Sequence, residues 1–350
     1  MPPLPNLTAA ELAAFARKYG LQGTLERLPS VGIVNRVYRA ALNGQAVVLR
    51  VPLPGDDRDA LNEGVAAPAA CRAGVRTPEL LIFDDDREVL NAPVTVYAFA
   101  PGRSLDRCGW AEHDPRLLRA YREAGRELAR LHASVSEVAD PHGRLATIRA
   151  PNVSRTLARV TDGKKLGLPD ATWATDTVFR LLETAPPPPP VFLHNDLHAG
   201  NLMVADNGAD EGAVTALIDW GDAGWGDPAL DLTYAGPLAA PGLLRGYREE
   251  AGRSDGGLAL RLLAYLLEDA TRRLAYVPET HETELWYTRP GTALMQLLRV
   301  STQFPEWGEW LGSSVGPEKW PRSLQAPRLR PLRDAESPRT GGPCCHPGSR

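Results

Sequence analysis

The chain has 350 residues, 43% of them apolar and 23% charged, and a formal net charge of −4. That balance is ordinary for a soluble globular protein with a normal core, and the length suits two domains or two lobes sharing one cleft. It leaves nucleic-acid binding without electrostatic support, and no apolar run approaches the ~20 residues that span a bilayer, so neither nucleic acid nor membrane is expected as a partner.

The first residues, MPPLPNLTAAELAAF, lack the basic start and apolar run of a secretory signal. Cys71, Cys108, Cys344 and Cys345 show no metal-ligand spacing. A reducing cytoplasm is the expected location. Residues 9–19 read as a short amphipathic helix, followed by strand signals at 24–28, 34–42 and 45–51. Asn43-Gly44 between the last two is a strong hairpin signal. Residues 57–73 read as a helix complicated by Pro68, and 80–84 and 93–99 as two further strands.

Pro101-Gly102 breaks that pattern, and helical periodicity takes over. Residues 116–135 place Leu117, Tyr121, Ala124, Leu128 and Leu131 on one face. Five prolines at 186–190 form a stiff lead-in to the stretch that follows. Beyond 240, residues 258–276 and 291–300 read as helices, and from 321 the Pro, Arg, Ser and Gly content predicts a disordered tail. The expected organisation is a sheet-rich lobe over 1–100, a helical lobe over 101–320 and a tail over 321–350.

The stretch VFLHNDLHAGNLMV, 191–204, sets His194, Asn195, Asp196, His198 and Asn201 between apolar runs. A metal-hydrolase cluster, a phosphoryl-transfer loop and a polar turn without chemistry all fit that density of polar groups. Downstream, ALIDWGDAGWGDPALDL, 216–232, puts Asp219 at the end of an apolar strand. NLMV and TALI are two short strands joined by a polar loop, so their hairpin carries Asp219 back towards Asn201. Asp196, Asn201 and Asp219 then face one point. Mg²⁺ prefers such hard oxygen ligands and is commonly held by one or two carboxylates plus substrate phosphates. Asn201 and Asp219 supply the ligands, and Asp196 is free to accept a proton from an attacking hydroxyl. His194, Asp196 and His198 alternate, but no further His-Asp cluster completes a hydrolase site, and His194 is expected to brace the loop.

H-x-D-x-x-x-x-N, then I-D, then G-D-P-x-x-D-L resembles the aminoglycoside phosphotransferase family, which shares its core with choline kinases and macrolide phosphotransferases and is a distant relative of protein kinases. The likeness covers about residues 25–300. It implies an α+β, bilobal, protein-kinase-like fold, with an antiparallel-sheet N-lobe carrying one helix and a mainly helical C-lobe. It also implies ATP and Mg²⁺ as cofactors and a small hydroxylated molecule as acceptor. Under it, Asp196 is the catalytic base, and Asn201 and Asp219 hold the metal. Arg50 stands at the phosphate-binding lysine position of the third strand, with Glu63 as its ion-pair partner. Residues 30–40, with Ser30, Gly32 and Asn35, match the loop over the phosphates. Residues 97–102, with Tyr97 and Phe99, match the adenine hinge.

The sequence departs from the family pattern at three places: Arg50 replaces Lys, the nucleotide loop holds only Gly32, and Asn195 stands where Gly is usual, a position Asn tolerates. Asp227-Pro228 reads as a helix start, and Asp227 and Asp231 as structural. Asp222 reads equally as a support for the site or as merely exposed. His132 is expected to satisfy the carbonyls at its helix end. Trp307 and Trp310 read as packing residues. Glu268, Asp269, Glu279, Glu282 and Glu284 form a modestly acidic zone, broken by Arg272 and Arg273. A silent nucleotide-binding protein and a protein kinase are the alternatives; for the latter, the eight positions from Asp219 to Asp227 leave no room for an activation segment. Aminoglycosides, macrolides, choline-like amines, amino-alcohols and sugars all fit the catalytic pattern as acceptors.

Overall fold

The computed structural model describes residues 6–28, 35–53, 55–252, 257–276, 291–308 and 310–311. Ser30, Gly32 and the expected tail lie outside the described residues, as do Glu279, Glu282 and Glu284.

The chain starts with helix α1 (Ala9–Tyr19), closed at its N-terminus by a reciprocal capping box between Thr8 and Glu11 and at its C-terminus by Gly20 in the left-handed conformation. Five strands follow: β1 (Gln22–Arg27), β2 (Asn35–Leu42), β3 (Gln45–Pro52), and, after helix α2 (Asp57–Arg72), β4 (Leu80–Asp84) and β5 (Val94–Ala98). They form one antiparallel sheet in the order β1-β2-β3-β5-β4. The β2–β3 hairpin turns on Asn43 and Gly44, both at positive φ (52° and 80°), as a two-residue turn requires.

The period-2 alternation of β3 decides the function of each face. Val47, Leu49 and Val51 are fully buried and pack with Phe15, Tyr38, Val94 and Val96 under α1. Val48 and Arg50 point the other way and line a cavity. Helix α2 closes against that second face. It is built from small residues, and Gly64 lies so close to the Phe83 ring that an added Cβ would come within 2.8 Å. Pro68 does not interrupt it: the helix runs through to Arg72, and its alanines join the helical core.

The segment after β5 contains β6 (Arg103–Ser104) and leads to α3 (Pro115–Ser134), capped by Asp114 with proline at N1. After β7 (Ala146–Thr147) come α4 (Val153–Asp162) and α5 (Leu168–Thr184). The next segment supplies β8 (Val191–Leu193), β9 (Leu202–Val204), β10 (Val214–Leu217) and β11 (Gly224–Gly226). Helices α6 (Pro228–Tyr234), α7 (Ala240–Ala251), α8 (Leu258–Arg273), α9 (Thr292–Ser301) and the short α10 (Pro305–Gly308) complete the described chain. Helices α3 and α7 pack with their backbones in contact. A Cβ on Gly246 would sit 1.7 Å from the Arg122 carbonyl, so only glycine admits that approach.

Two small sheets hold the functional loops, one ordered β10-β9-β6 and one ordered β7-β11-β8. The link between the large sheet and the helical region is pinned to the first of them. Gly102, at φ 96°, lies where a Cβ would overlap the Val204 carbonyl, and Thr215 donates to the Pro101 carbonyl at 2.7 Å. Trp307 is fully buried and donates from Nε1 to the Ala259 carbonyl. Among the described residues no helix is long and apolar enough to cross a membrane.

Candidate active site

The loop between β8 and β9 is held from beneath by one wholly buried side chain. Asp231, on α6, accepts from the backbone N–H of His194 (3.0 Å) and of Asn195 (2.6 Å), and its Oδ2 meets Nε2 of His132 at 2.9 Å. His132 is therefore not a helix-end cap, as its position in the sequence suggests. It is buried, its other nitrogen meets the Tyr247 hydroxyl at 3.1 Å, and it orients Asp231. Asp227 caps α6 through the Ala229 N–H and is further bound by Arg261 and Tyr265.

His194 is buried over Trp220, with both ring nitrogens committed. Nδ1 accepts from the Asp196 N–H (3.3 Å), so Nε2 carries the proton given to the Ile218 carbonyl (3.0 Å). Burial lowers its pKa and keeps the ring neutral. His198 receives the Gly200 N–H on Nδ1. A hydrolase site on these two histidines would need both nitrogens of His194 and Nδ1 of His198, which already have partners. Asn195 has φ 63°, and its amide donates to the Asp222 carbonyl at 3.1 Å.

Strands β9 and β10 pair antiparallel, and the Ile218 N–H donates to the Asn201 carbonyl at 3.0 Å. That pairing delivers Asp219 beside the loop. Asn201 Nδ2 donates to the Asp196 carbonyl (2.9 Å) and to its carboxylate (2.8 Å). Both of those partners are acceptors, which fixes the amide orientation and leaves Oδ1 available as an oxygen ligand. Burial, and then the neighbouring Asp219 and Asp222 carboxylates, push Asp196 up to about 7. Asp222 thus lines the cavity near Asp196 and supports the loop through its carbonyl.

From the sheet, Arg50 Nη1 lies 2.5 Å from Glu63 Oε1, and its Nη2 lies 3.0 Å from Asp219 Oδ1. Burial would raise Asp219, but the Arg50 guanidinium outweighs it and holds that carboxyl below its ordinary value. Burial pushes Glu63 up, with Asp219 adding to the effect and Arg50 opposing it. Tyr97 donates its hydroxyl to Glu63 Oε2 at 3.0 Å. Its side chain is thus a brace for Glu63 as well as a wall of the cavity. The N-terminus of α2 is docked on the segment after Asp219: Asn62 donates to the Gly221 carbonyl (2.8 Å), and a Cβ on Gly221 would come within 2.6 Å of Asp59. Phe99 lines the cavity, but its N–H is taken by the Ala46 carbonyl at 3.0 Å. Asn35 is buried at the start of β2 and lines the same space.

Asp196, Asn201, Asp219 and Asp222 line a single cavity of about 1970 Å³ with Arg50, Asn35, Tyr97 and Phe99, and Glu63 reaches it through Arg50, whereas His194 and Asp231 support the loop from outside it. Its walls also include Arg149, Arg155 and Arg159 from α4 and its lead-in, and Glu268, Arg272, Arg273 and Gln296 from α8 and α9. Sequence reasoning gave these helical-wall arginines no role beyond noting Arg272 and Arg273. The i,i+4 spacing of Arg155 and Arg159 was the available signal.

An antiparallel sheet carrying one helix, joined to a helical region through a pinned link, with this loop at the junction, defines the protein-kinase-like class of phosphotransferases. The chain belongs to the phosphotransferase enzyme family (APH), whose model matches residues 26–275. A curated relative, the hydroxyurea phosphotransferase of Kitasatospora aureofaciens, is 29% identical over 192 residues, 51% of this chain and 53% of that one. The chain thus spans about half the length of that relative. Among solved structures, a spectinomycin phosphotransferase in complex with ADP and spectinomycin aligns with a TM-score of 0.53 at 15% identity, over 86% of this chain and 95% of that one. The GDP complex of an aminoglycoside 2′-phosphotransferase-IIIa aligns with a TM-score of 0.55 at 19% identity, over 84% and 97%. At these identities the structural likeness speaks to the fold.

Proposed function

We propose that the protein transfers the γ-phosphate of ATP to a hydroxyl of a small molecule, with Mg²⁺ bound between nucleotide and protein. The observation that carries this reading is the convergence of Asp196, Asn201 and Asp219 with the Arg50–Glu63 pair on one cavity. The donor set suits Mg²⁺: a carboxylate kept ionised by Arg50, and an amide oxygen left over after its nitrogen is spent on Asp196. When bound, the ion would neutralise charge on the phosphates.

The chain's own groups do the rest. Arg50 offers a guanidinium to the phosphates, and Glu63 and Tyr97 fix its direction. Asp196 orients the acceptor hydroxyl and takes its proton. Its raised affinity for a proton suits that task near neutral pH. Asn201 fixes the Asp196 rotamer, and His194 with Asp231 fixes the loop. Catalysis here is mostly positioning and charge placement. The likeness to hydroxyurea, spectinomycin and aminoglycoside phosphotransferases supports a small-molecule acceptor.

The test is ATP consumption and ADP binding by the full chain across hydroxylated small molecules, with Mg²⁺ and with EDTA, and with Asp196→Asn as control. The expected result is Mg²⁺-dependent nucleotide binding, and turnover lost in the variant. Nucleotide binding that ignores Mg²⁺, or turnover undiminished by Asp196→Asn, overturns the reading.

A further inference from the structure

The wall of the cavity on α4 and α8 is chemically unlike a site for a polycation. Arg155 and Arg159 lie one turn apart on α4, exposed and lining the cavity, with Arg149 just before them. Among the described residues none of the three has a carboxylate partner, whereas most other arginines of the helical region are paired, as Arg122 and Arg126 are with Glu249. The acidic groups nearby are already engaged. Asp269 is shared by Arg272 and Arg273. Glu268 is 3% exposed and bound to the Thr156 hydroxyl, and burial raises its pKa so that its charge is disfavoured. The described part of this wall therefore carries a net positive charge.

A second observation points to a ligand. Gln296 on α9 is 91% buried and lines the same cavity, and among the described residues its Oε1 has no hydrogen-bond partner. A buried amide oxygen without a hydrogen bond is costly, and turning the amide towards the cavity would let a hydroxylated ligand satisfy it. This wall is also continuous with the reacting end. Asp196, Tyr234, Arg273, Glu268, Arg155 and Arg159 all line that one cavity.

We propose that the acceptor is a hydroxylated small-molecule acid, whose anionic group is held by Arg149, Arg155 and Arg159 while a hydroxyl meets Asp196. This rests on the phosphotransferase reading for the role of Asp196, but the anion-binding wall stands on its own residues. An arginine fork matches the planar geometry of a carboxylate and serves other oxyanions equally.

The test uses three six-carbon polyols that differ only at C1: D-gluconate, D-sorbitol and D-glucamine, which carry a carboxylate, an alcohol and an ammonium. Each is titrated calorimetrically into the full chain saturated with Mg²⁺ and a non-hydrolysable ATP analogue, so that the phosphate site is filled. Gluconate is expected to bind at least about tenfold more tightly than sorbitol, with glucamine weakest, and the advantage should shrink in high salt. R155Q/R159Q should abolish the gluconate advantage while leaving analogue affinity and melting temperature unchanged. Glucamine binding as tightly as gluconate overturns the proposal, as does a gluconate preference that survives the double substitution or no gluconate binding at all. Failure of the analogue to bind, with the gluconate preference intact in its absence, would sink the phosphotransferase reading and leave the anionic wall standing.

Discussion

Two aspartates on opposite sides of one loop show what surroundings make of the same side chain. Asp231 is wholly buried and has a donor at each oxygen, two of them backbone N–H groups of the loop it supports. Asp196, on that loop, faces the cavity beside two other carboxylates and accepts from the Asn201 amide. The first is a fully satisfied buried polar group, which holds structure. The second is an under-compensated one, which is where chemistry is stored. Substitutions at the two should therefore fail in different measurements.

The largest effect is expected at Asp196. Asp196→Asn keeps the shape and removes the base, so acceptor phosphorylation should fall by about a thousandfold, while the thermal midpoint stays or rises as repulsion with Asp219 and Asp222 is relieved. A large drop in the midpoint would erase the contrast with Asp231. Asp231→Ala should do the reverse. It strands two loop N–H groups and the His132 ring, and the cost should be about 3 kcal/mol or more in denaturant unfolding. Smaller again is Glu63→Gln, which among the described residues leaves Arg50 with Asp219 as its one charged partner. The guanidinium should swing, raising KM for ATP about tenfold with a lesser change in kcat; a pure kcat effect would mean that Glu63 does not act through Arg50.

The same contrast has a pH signature in the metal-free protein. The folded chain holds the Asp196 proton up to about 7, whereas an unfolded aspartate releases it at its ordinary value of 3.8. Between those values the folded state binds more protons than the unfolded state, so this group's contribution to stability falls as pH rises through that window. Glu63 and Glu268 are raised as well, so the fall should be lessened rather than abolished by Asp196→Asn, and lessened to a smaller degree by Asp222→Asn. Thermal melts across pH 4 to 7 in EDTA check it, and a slope unchanged by Asp196→Asn would show that another group carries the dependence.

How much of this was legible in the sequence depends on how local the physics is. The β2–β3 turn follows from Asn43-Gly44 alone, and the meeting of Asp196, Asn201 and Asp219 from a hairpin too short to do anything else. Helices α4 and α5 were not anticipated. On α4 the buried side chains are only Val153, Thr156 and Val160, and Thr156 finds its partner in Glu268, more than a hundred residues away. Helix α2 was legible in spite of Pro68: the alanines around it bury against the helical core, and that packing outweighs the lost helical hydrogen bond. His132 could not be read because Asp231 and Tyr247 reach it only through the tertiary fold. The arginine wall belongs to the same class, since its meaning lies in which partners Arg149, Arg155 and Arg159 lack among the described residues.

The smallest test concerns the turn that separates the two aspartates. Asn195 sits at φ 63°, where an ordinary L-residue is strained by roughly 1–2 kcal/mol and Gly is not. Its side chain also donates to the Asp222 carbonyl. Asn195→Ala removes the hydrogen bond and keeps the strain, whereas Asn195→Gly removes both. If the backbone angle is the reason for the residue, Gly should retain stability to within a few tenths of a kcal/mol, and Ala should lose about 1 kcal/mol more than Gly. If the bond to Asp222 is the reason, both should lose equally. Because that bond ties the loop to a carboxylate-bearing residue of the cavity, the second outcome would also slow turnover in both variants. That would move Asn195 from the structural side of the loop, with Asp231, to the working side, with Asp196.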